Sequence, residues 1–156
     1  VASCTNHCSV LFANWYPPIE AEPLPGQLRL GPHTDYGSLT ILYRDEQPGG
    51  LQVRRDGEWA DVPDIPGSYV VNIGDLMARW TNDRWVSTLH RVANPPLAHR
   101  SGPRLSIPFF HQPDPSAVIE CLPTCQGPGN PPRYEPITSG GNYWTKTTKT
   151  LQEVSR

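Results

Sequence analysis

Residues 38–62 read SLTILYRDEQPGGLQVRRDGEWADV. Ser38 to Tyr43 is an apolar, β-branched run, and Leu51 to Arg54 alternates apolar with polar. Asp56-Gly57 follows, and Trp59 to Val62 carries the chain back. Asp-Gly between two short extended segments favours a tight turn, so the spacing predicts a β-hairpin. The same pattern continues outward. Tyr69 to Ile73 is a short apolar run stopped by Gly74, and Thr88 to Val92, Arg104 to Phe110 and Ala117 to Cys121 are further strand candidates. The 19 prolines and 13 glycines are spread along the chain. Proline breaks helices and central strands, so the elements between them must be short. Many short strands divided by Pro and Gly turns predict a mainly β sandwich or jelly roll. Helices are few: one short turn region at Asp75 to Trp80, and a tail from Asn142 to Arg156 whose threonines weaken its helix propensity.

The bulk numbers exclude several classes of partner. A chain of 156 residues fits one domain. Thirteen basic and 15 acidic residues give a net charge of −2, unlike the basic footprint of a nucleic-acid binder. No apolar run is long enough to span a bilayer, and Val1 to Pro18 lacks a charged segment followed by an apolar one. The four cysteines fall as Cys4 and Cys8, then Cys121 and Cys125. Structural zinc pairs more often have two intervening residues than the three found here, which favours free thiols over a four-thiolate site. The expectation is a cytoplasmic protein that engages a small molecule rather than nucleic acid or membrane.

His33-Thr34-Asp35 is the first cluster with chemical content. In an extended segment residues i and i+2 point the same way, so His33 and Asp35 can reach one ion together. His90 lies in a later strand candidate and supplies a second imidazole. Two neutral imidazoles and one carboxylate form a facial triad that leaves three octahedral positions free, the ligand set of non-haem iron(II) oxygenases. The pair taken alone also reads as a solvated turn, Pro32 to Gly37, and His7, His99 and His111 compete for the third place. Arg104-Leu105-Ser106 sets a guanidinium and a hydroxyl on one strand face, a site for one carboxylate of a small dicarboxylic acid. A surface Arg beside a Ser is the competing reading.

Five ordered pieces together resemble the isopenicillin N synthase-like family of iron(II)/2-oxoglutarate oxygenases. They are Asn14-Trp15-Tyr16-Pro17-Pro18, His33-Thr34-Asp35, Gly49-Gly50-Leu51-Gln52-Val53, Asn72-Ile73-Gly74-Asp75 with the stretch to His90-Arg91-Val92, and Arg104 to Phe110. Fifty-four residues separate Asp35 from His90, which looks like the family's spacing. The resemblance implies a double-stranded β-helix with iron(II) at its open end, held by His33, Asp35 and His90. It implies 2-oxoglutarate as co-substrate beside O2. Arg104 and Ser106 match the pair that holds its distal carboxylate, while Tyr16 and Asn14 match residues at its metal-side end. Gly49-Gly50 and Gly74-Asp75 look like turns. Tyr36, Trp80 and Phe110 are candidates for lining a substrate site. The implied reaction oxidises an unactivated C–H bond of a small organic substrate and releases succinate and CO2. Relatives that keep the Arg-x-Ser pair without using 2-oxoglutarate leave an iron-dependent oxidase as the alternative, and a non-catalytic jelly-roll module that retains a metal is a third reading.

The pattern departs from the family in one place. Members usually carry a long, partly helical region ahead of the Asn-x-Tyr-Pro segment, and this sequence has thirteen residues there. Residues 1–156 therefore read as a single catalytic core domain lacking the family's N-terminal region. An uncovered apolar sheet face is expected, and with it a homo-oligomer or an upstream segment that covers it.

Overall fold

The computed structural model describes residues 2–47 and 50–154. Its strands are β1 (Val10–Leu11), β2 (Asn14–Tyr16), β3 (Leu30–His33), β4 (Leu39–Arg44), β5 (Leu51–Arg55), β6 (Glu58–Asp61), β7 (Val70–Ile73), β8 (His90–Val92), β9 (Arg104–His111), β10 (Val118–Ile119) and β11 (Ile137–Thr138). Helix α1 covers Asp75–Trp80 and α2 covers Ser139–Val154. All pairings are antiparallel. A larger sheet runs β1-β9-β4-β7, with β2 also on β9, and a smaller one runs β3-β8-β5-β6. The two inner faces enclose one cavity, as in a jelly roll, so the sandwich expected from the sequence is the fold that forms.

The decisive hairpin is present. Asp56 and Gly57 both adopt positive φ, 49° and 85°, as a two-residue turn demands, and Arg55 faces Glu58 across it. The expected tail helix starts three residues earlier than its pattern suggested, and residues 155–156 lie outside the described residues. Gly49 also lies outside them. Strands β1, β2 and β3 have no counterpart in the sequence reading; they are two to four residues long, too short for an alternation to register.

The register sorts each strand into two faces. Across the larger sheet Val10 faces Phe110, Phe110 faces Thr40, and Thr40 faces Asn72; this row points inward. The next row, Leu11, Phe109, Ile41 and Val71, points outward. Leu11 is 65% exposed and Val71 60%, and Trp15, Tyr43 and Tyr69 add exposed aromatic area on the same sheet. The outer face of the smaller sheet is different. Arg91 and Arg54 both lie over the Trp59 ring, at 4.2 and 5.3 Å, and Gln52 bonds Arg91 and Asp61. Stacked guanidinium groups cover the one large ring there and keep a polar surface towards water.

Loop 34–38 is fixed by the start of α1. The backbone N–H groups of Gly74, Asp75 and Leu76 donate to the carbonyls of Ser38, Asp35 and Gly37 at 2.9, 2.8 and 2.9 Å. Gly74 does more than turn the chain after β7: a Cβ at this position would collide with the Gly37 carbonyl. Two results are expected. Gly74→Ala should cost a few kcal/mol, about 1–3 for a forced close contact, read as a fall in denaturation midpoint. The 156-residue chain by itself should sediment as an associated species through the apolar outer face, and Ile41→Lys with Val71→Lys should return it to a monomer.

Candidate metal centre and its two cavities

His33 and His90 meet because they are opposed partners on β3 and β8, with Val53 of β5 completing the row. Their ring centroids are 4.2 Å apart. The Nδ1 of His33 bonds the Gly31 carbonyl at 2.8 Å, and Nδ1 of His90 bonds the Thr88 carbonyl at 2.9 Å. A carbonyl only accepts, so each Nδ1 carries the hydrogen and each Nε2 keeps its lone pair. Both Nε2 atoms face Asp35 Oδ1, at 3.9 Å from His33 and 3.6 Å from His90. Burial pushes the His33 imidazole below its ordinary pKa, which favours the neutral, ligating form.

Asp35 arrives from the loop between β3 and β4 and is 6% exposed. Its Oδ2 accepts hydrogen bonds from the Thr40 hydroxyl and from Asn72 Nδ2, the latter at 2.7 Å. With Oδ2 occupied, Oδ1 is turned towards the imidazoles. One ligand atom from each of His33, Asp35 and His90 lies within 4.8 Å of the others, and this is the one such cluster among the described residues. Ligands about 2.1 Å from one ion at right angles stand about 3 Å apart, so small side-chain rotations would close the set on a metal. Asp75, the other acid nearby, has its Oδ2 engaged by Lys146 at 2.8 Å and by the Thr34 hydroxyl. His111 bonds Ser38 through Nδ1 at 2.6 Å, His7 stacks on it, and His99 sits in an exposed 3-10 turn. Cys4, Cys8, Cys121 and Cys125 are free thiols.

Two cavities meet at the triad, and His33, Asp35 and Phe110 line both. The inner one, about 90 Å³, lies between the sheets and is lined by Asn14, Tyr16 and Ser106 together with apolar Leu42, Leu51, Val70 and Pro108. Asn14 faces Ser106 and Tyr16 faces Arg104 across β2 and β9, so three of the four sequence candidates line this cavity and Arg104, which does not, stands beside Tyr16. Arg104 is 7% exposed and lies 4.8 Å above the Tyr16 ring. Its Nε has no hydrogen-bond partner among the described residues, and burial lowers its pKa. A buried guanidinium with a free donor is expensive unless an anion answers it, so the donor set fits a carboxylate. The outer cavity, about 410 Å³, is lined by Tyr36 and Phe110 together with Phe12, Gln112 and Tyr143. Trp80 lines neither cavity; it closes α1, where its carbonyl accepts from the Leu122 N–H.

Thr40 and Asn72 were not singled out in the sequence. Their signal was a polar residue on the inward phase of an apolar strand: Thr40 two before Leu42, Asn72 two after Val70. Helix α2 was also missed as part of the site. Asn142 Nδ2 donates to the Tyr36 carbonyl at 3.2 Å, the Tyr36 hydroxyl bonds Thr150, and Lys146 holds Asp75.

The sequence profile of the 2OG-Fe(II) oxygenase superfamily matches residues 5–113, and the chain belongs to that superfamily. It is 49% identical over 112 residues to a 2-oxoglutarate-Fe(II) type oxidoreductase of Emericella nidulans, covering 70% of this chain and 30% of that protein. It is 44% identical over 108 residues to 1-aminocyclopropane-1-carboxylate oxidase 1 of rice, covering 69% and 32%. Among solved structures it resembles full-length Neurospora crassa T7H in complex with alpha-KG, with a TM-score of 0.84 and 39% identity over 91% of this chain and 44% of that one. The chain thus spans about a third of the length of these curated relatives. Iron(II), 2-oxoglutarate and O2 are the cofactor and co-substrates of the superfamily. No helix among the described residues is long and apolar enough to cross a membrane.

Residues that hold a ligating carboxylate typically matter 10–100-fold for metal affinity. Thr40→Val and Asn72→Ala are each expected to weaken Co(II) binding by about that factor, measured by the metal's visible absorption, with far-ultraviolet circular dichroism unchanged.

Proposed function

We propose that the chain is the catalytic core of an iron(II)- and 2-oxoglutarate-dependent oxygenase that oxidises an unactivated C–H bond of a small organic molecule. The observation that carries this reading is the preformed triad: two imidazoles with Nε2 free and one carboxylate with Oδ1 free, all facing one point. His33, Asp35 and His90 would hold the iron on one face and leave the opposite positions open. Arg104 and Ser106 would take the distal carboxylate of 2-oxoglutarate at the closed end of the inner cavity. Tyr16 and Asn14 would hydrogen-bond its other end. When bound, iron(II) with 2-oxoglutarate and O2 supplies the oxidising power, with succinate and CO2 as co-products.

The chain's own contribution is placement and exclusion of water. Thr40 and Asn72 restrict Asp35 to a single ligating oxygen, which keeps a coordination position free. Leu42, Leu51, Val70 and Pro108 wall the inner cavity with apolar surface, so charge-assisted contacts to Arg104 act in a low dielectric. The outer cavity meets the triad on the far side from Arg104 and is where a substrate C–H bond would be presented. The likeness to an aminocyclopropane-carboxylate oxidase supports a second reading, an iron-dependent oxidase of the same fold in which Arg104 binds a different carboxylate.

Anaerobic titration with iron(II) and then 2-oxoglutarate should produce the weak visible charge-transfer band of the chelate, and turnover should yield succinate. Succinate-free oxidation would select the oxidase reading, and no band with no metal uptake would overturn both. Arg104→Ala should spare iron binding and cost about 2–5 kcal/mol in 2-oxoglutarate affinity, the usual loss for a buried two-pronged contact.

A further inference from the structure

Gln112 is 6% exposed, lies at the end of β9 beside the outer cavity, and helps to line it. Its backbone N–H donates to Ser9 Oγ at 3.2 Å, but its side-chain amide has no hydrogen bond among the described residues. The amide rests over Gly37: its nitrogen and carbonyl carbon stand 3.0 and 3.1 Å from where a Cβ on Gly37 would be. A Cβ there would meet the His111 carbonyl first, so glycine at 37 is demanded by that backbone contact and also leaves room for the amide. An amide carries one acceptor oxygen and two N–H donors, and no described residue engages those of Gln112.

Several other polar groups on this cavity are already engaged. Thr34 donates to Asp75, the Tyr36 hydroxyl bonds Thr150, and Cys8 Sγ contacts the Pro113 carbonyl. None of the described residues lining the cavity is Lys or Arg. Asp35 also lines it, so in the metal-free cavity a carboxylate would meet a like charge and no basic side chain. The walls are aromatic and arranged in edge-to-face pairs, Phe12 on Phe110 at 5.9 Å and Tyr36 on Tyr143 at 6.2 Å. Such walls offer flat faces to a ring.

From this we infer that the outer cavity takes a neutral, flat one- or two-ring molecule carrying a cis amide, a lactam or imide, whose N–H and C=O pair with the Gln112 amide. The inference deepens the proposed function: it rests on the triad being the reaction centre and names the class of molecule presented to it. Gln112 acts as a specificity residue through two hydrogen bonds of opposite sense, which a carboxylate or a simple arene cannot both satisfy.

The test uses the 156-residue chain without metal, so that its outcome is independent of oxygenase chemistry. Saturation-transfer NMR with 2-quinolone, N-methyl-2-quinolone and 2-naphthoate reads the cavity directly. 2-Quinolone should bind at least 10-fold more tightly than either of the other two, because the first lacks the N–H and the second is an anion. Gln112→Leu should abolish the preference over N-methyl-2-quinolone, with its melting temperature unchanged because no protein hydrogen bond is lost. Equal binding of the three probes by the unaltered chain would overturn the inference even if the variant failed to fold. A preference for 2-quinolone over N-methyl-2-quinolone that persists in a folded Gln112→Leu variant would overturn it as well. Absence of iron uptake or succinate would count against the proposed function alone, since probe binding is scored without either.

Discussion

Three backbone hydrogen bonds hold the whole site in place. The N–H groups of Gly74, Asp75 and Leu76, at the entry to α1, donate to the carbonyls of residues 38, 35 and 37. The first turn of a helix has N–H groups with no partner inside the helix, and here the loop that carries Asp35 supplies the acceptors. That anchor places Asp35 against β4 and β7, where Thr40 and Asn72 seize one of its oxygens. The carboxylate is thereby fixed to the larger sheet, while the two imidazoles belong to the smaller one. The candidate metal centre spans the two sheets, and its geometry depends on their relative position.

Much of this was legible in the sequence. The Asp56-Gly57 hairpin, the runs that became β4, β7 and β9, and the short helix after Gly74 follow from local pattern and turn chemistry. His33, Asp35 and His90 were legible as ligand types at a family-like spacing, and the register on β3 and β8 explains why the two histidines meet. What stayed hidden is what only register decides. Thr40 and Asn72 looked like ordinary residues of two strand candidates, because nothing local says that both face the same carboxylate. Tyr36 and Phe110 line the outer cavity, but Trp80 does not, since its helix leads away from the triad towards Leu122. Aromatic identity alone carries no direction.

The two sheets treat their outer faces in opposite ways. On the smaller sheet Arg54 and Arg91 lie over Trp59 and leave it compatible with water. On the larger sheet Leu11, Ile41 and Val71 stand in one row with no such cover among the described residues. The inner faces divide the labour differently: the smaller sheet gives the histidines, and the larger gives the carboxylate's supports, Arg104 and the floor of both cavities. Helix α2 ties back to this arrangement through Tyr36 and Asp75, so a segment distant in sequence shapes the rim of the site.

Strand β9 has β4 on one side and both β1 and β2 on the other. Its partners at Val10 and Asn14 lie roughly a hundred residues away along the chain, so these are the longest-range strand pairings among the described residues. Loop closure of that span must be paid in entropy before any contact rewards it. The local hairpin of β5 and β6 can form early, whereas the edge that sets Tyr16 against Arg104 is a late event in folding. A nascent chain would therefore hold its local hairpin before the residues that flank the inner cavity come together.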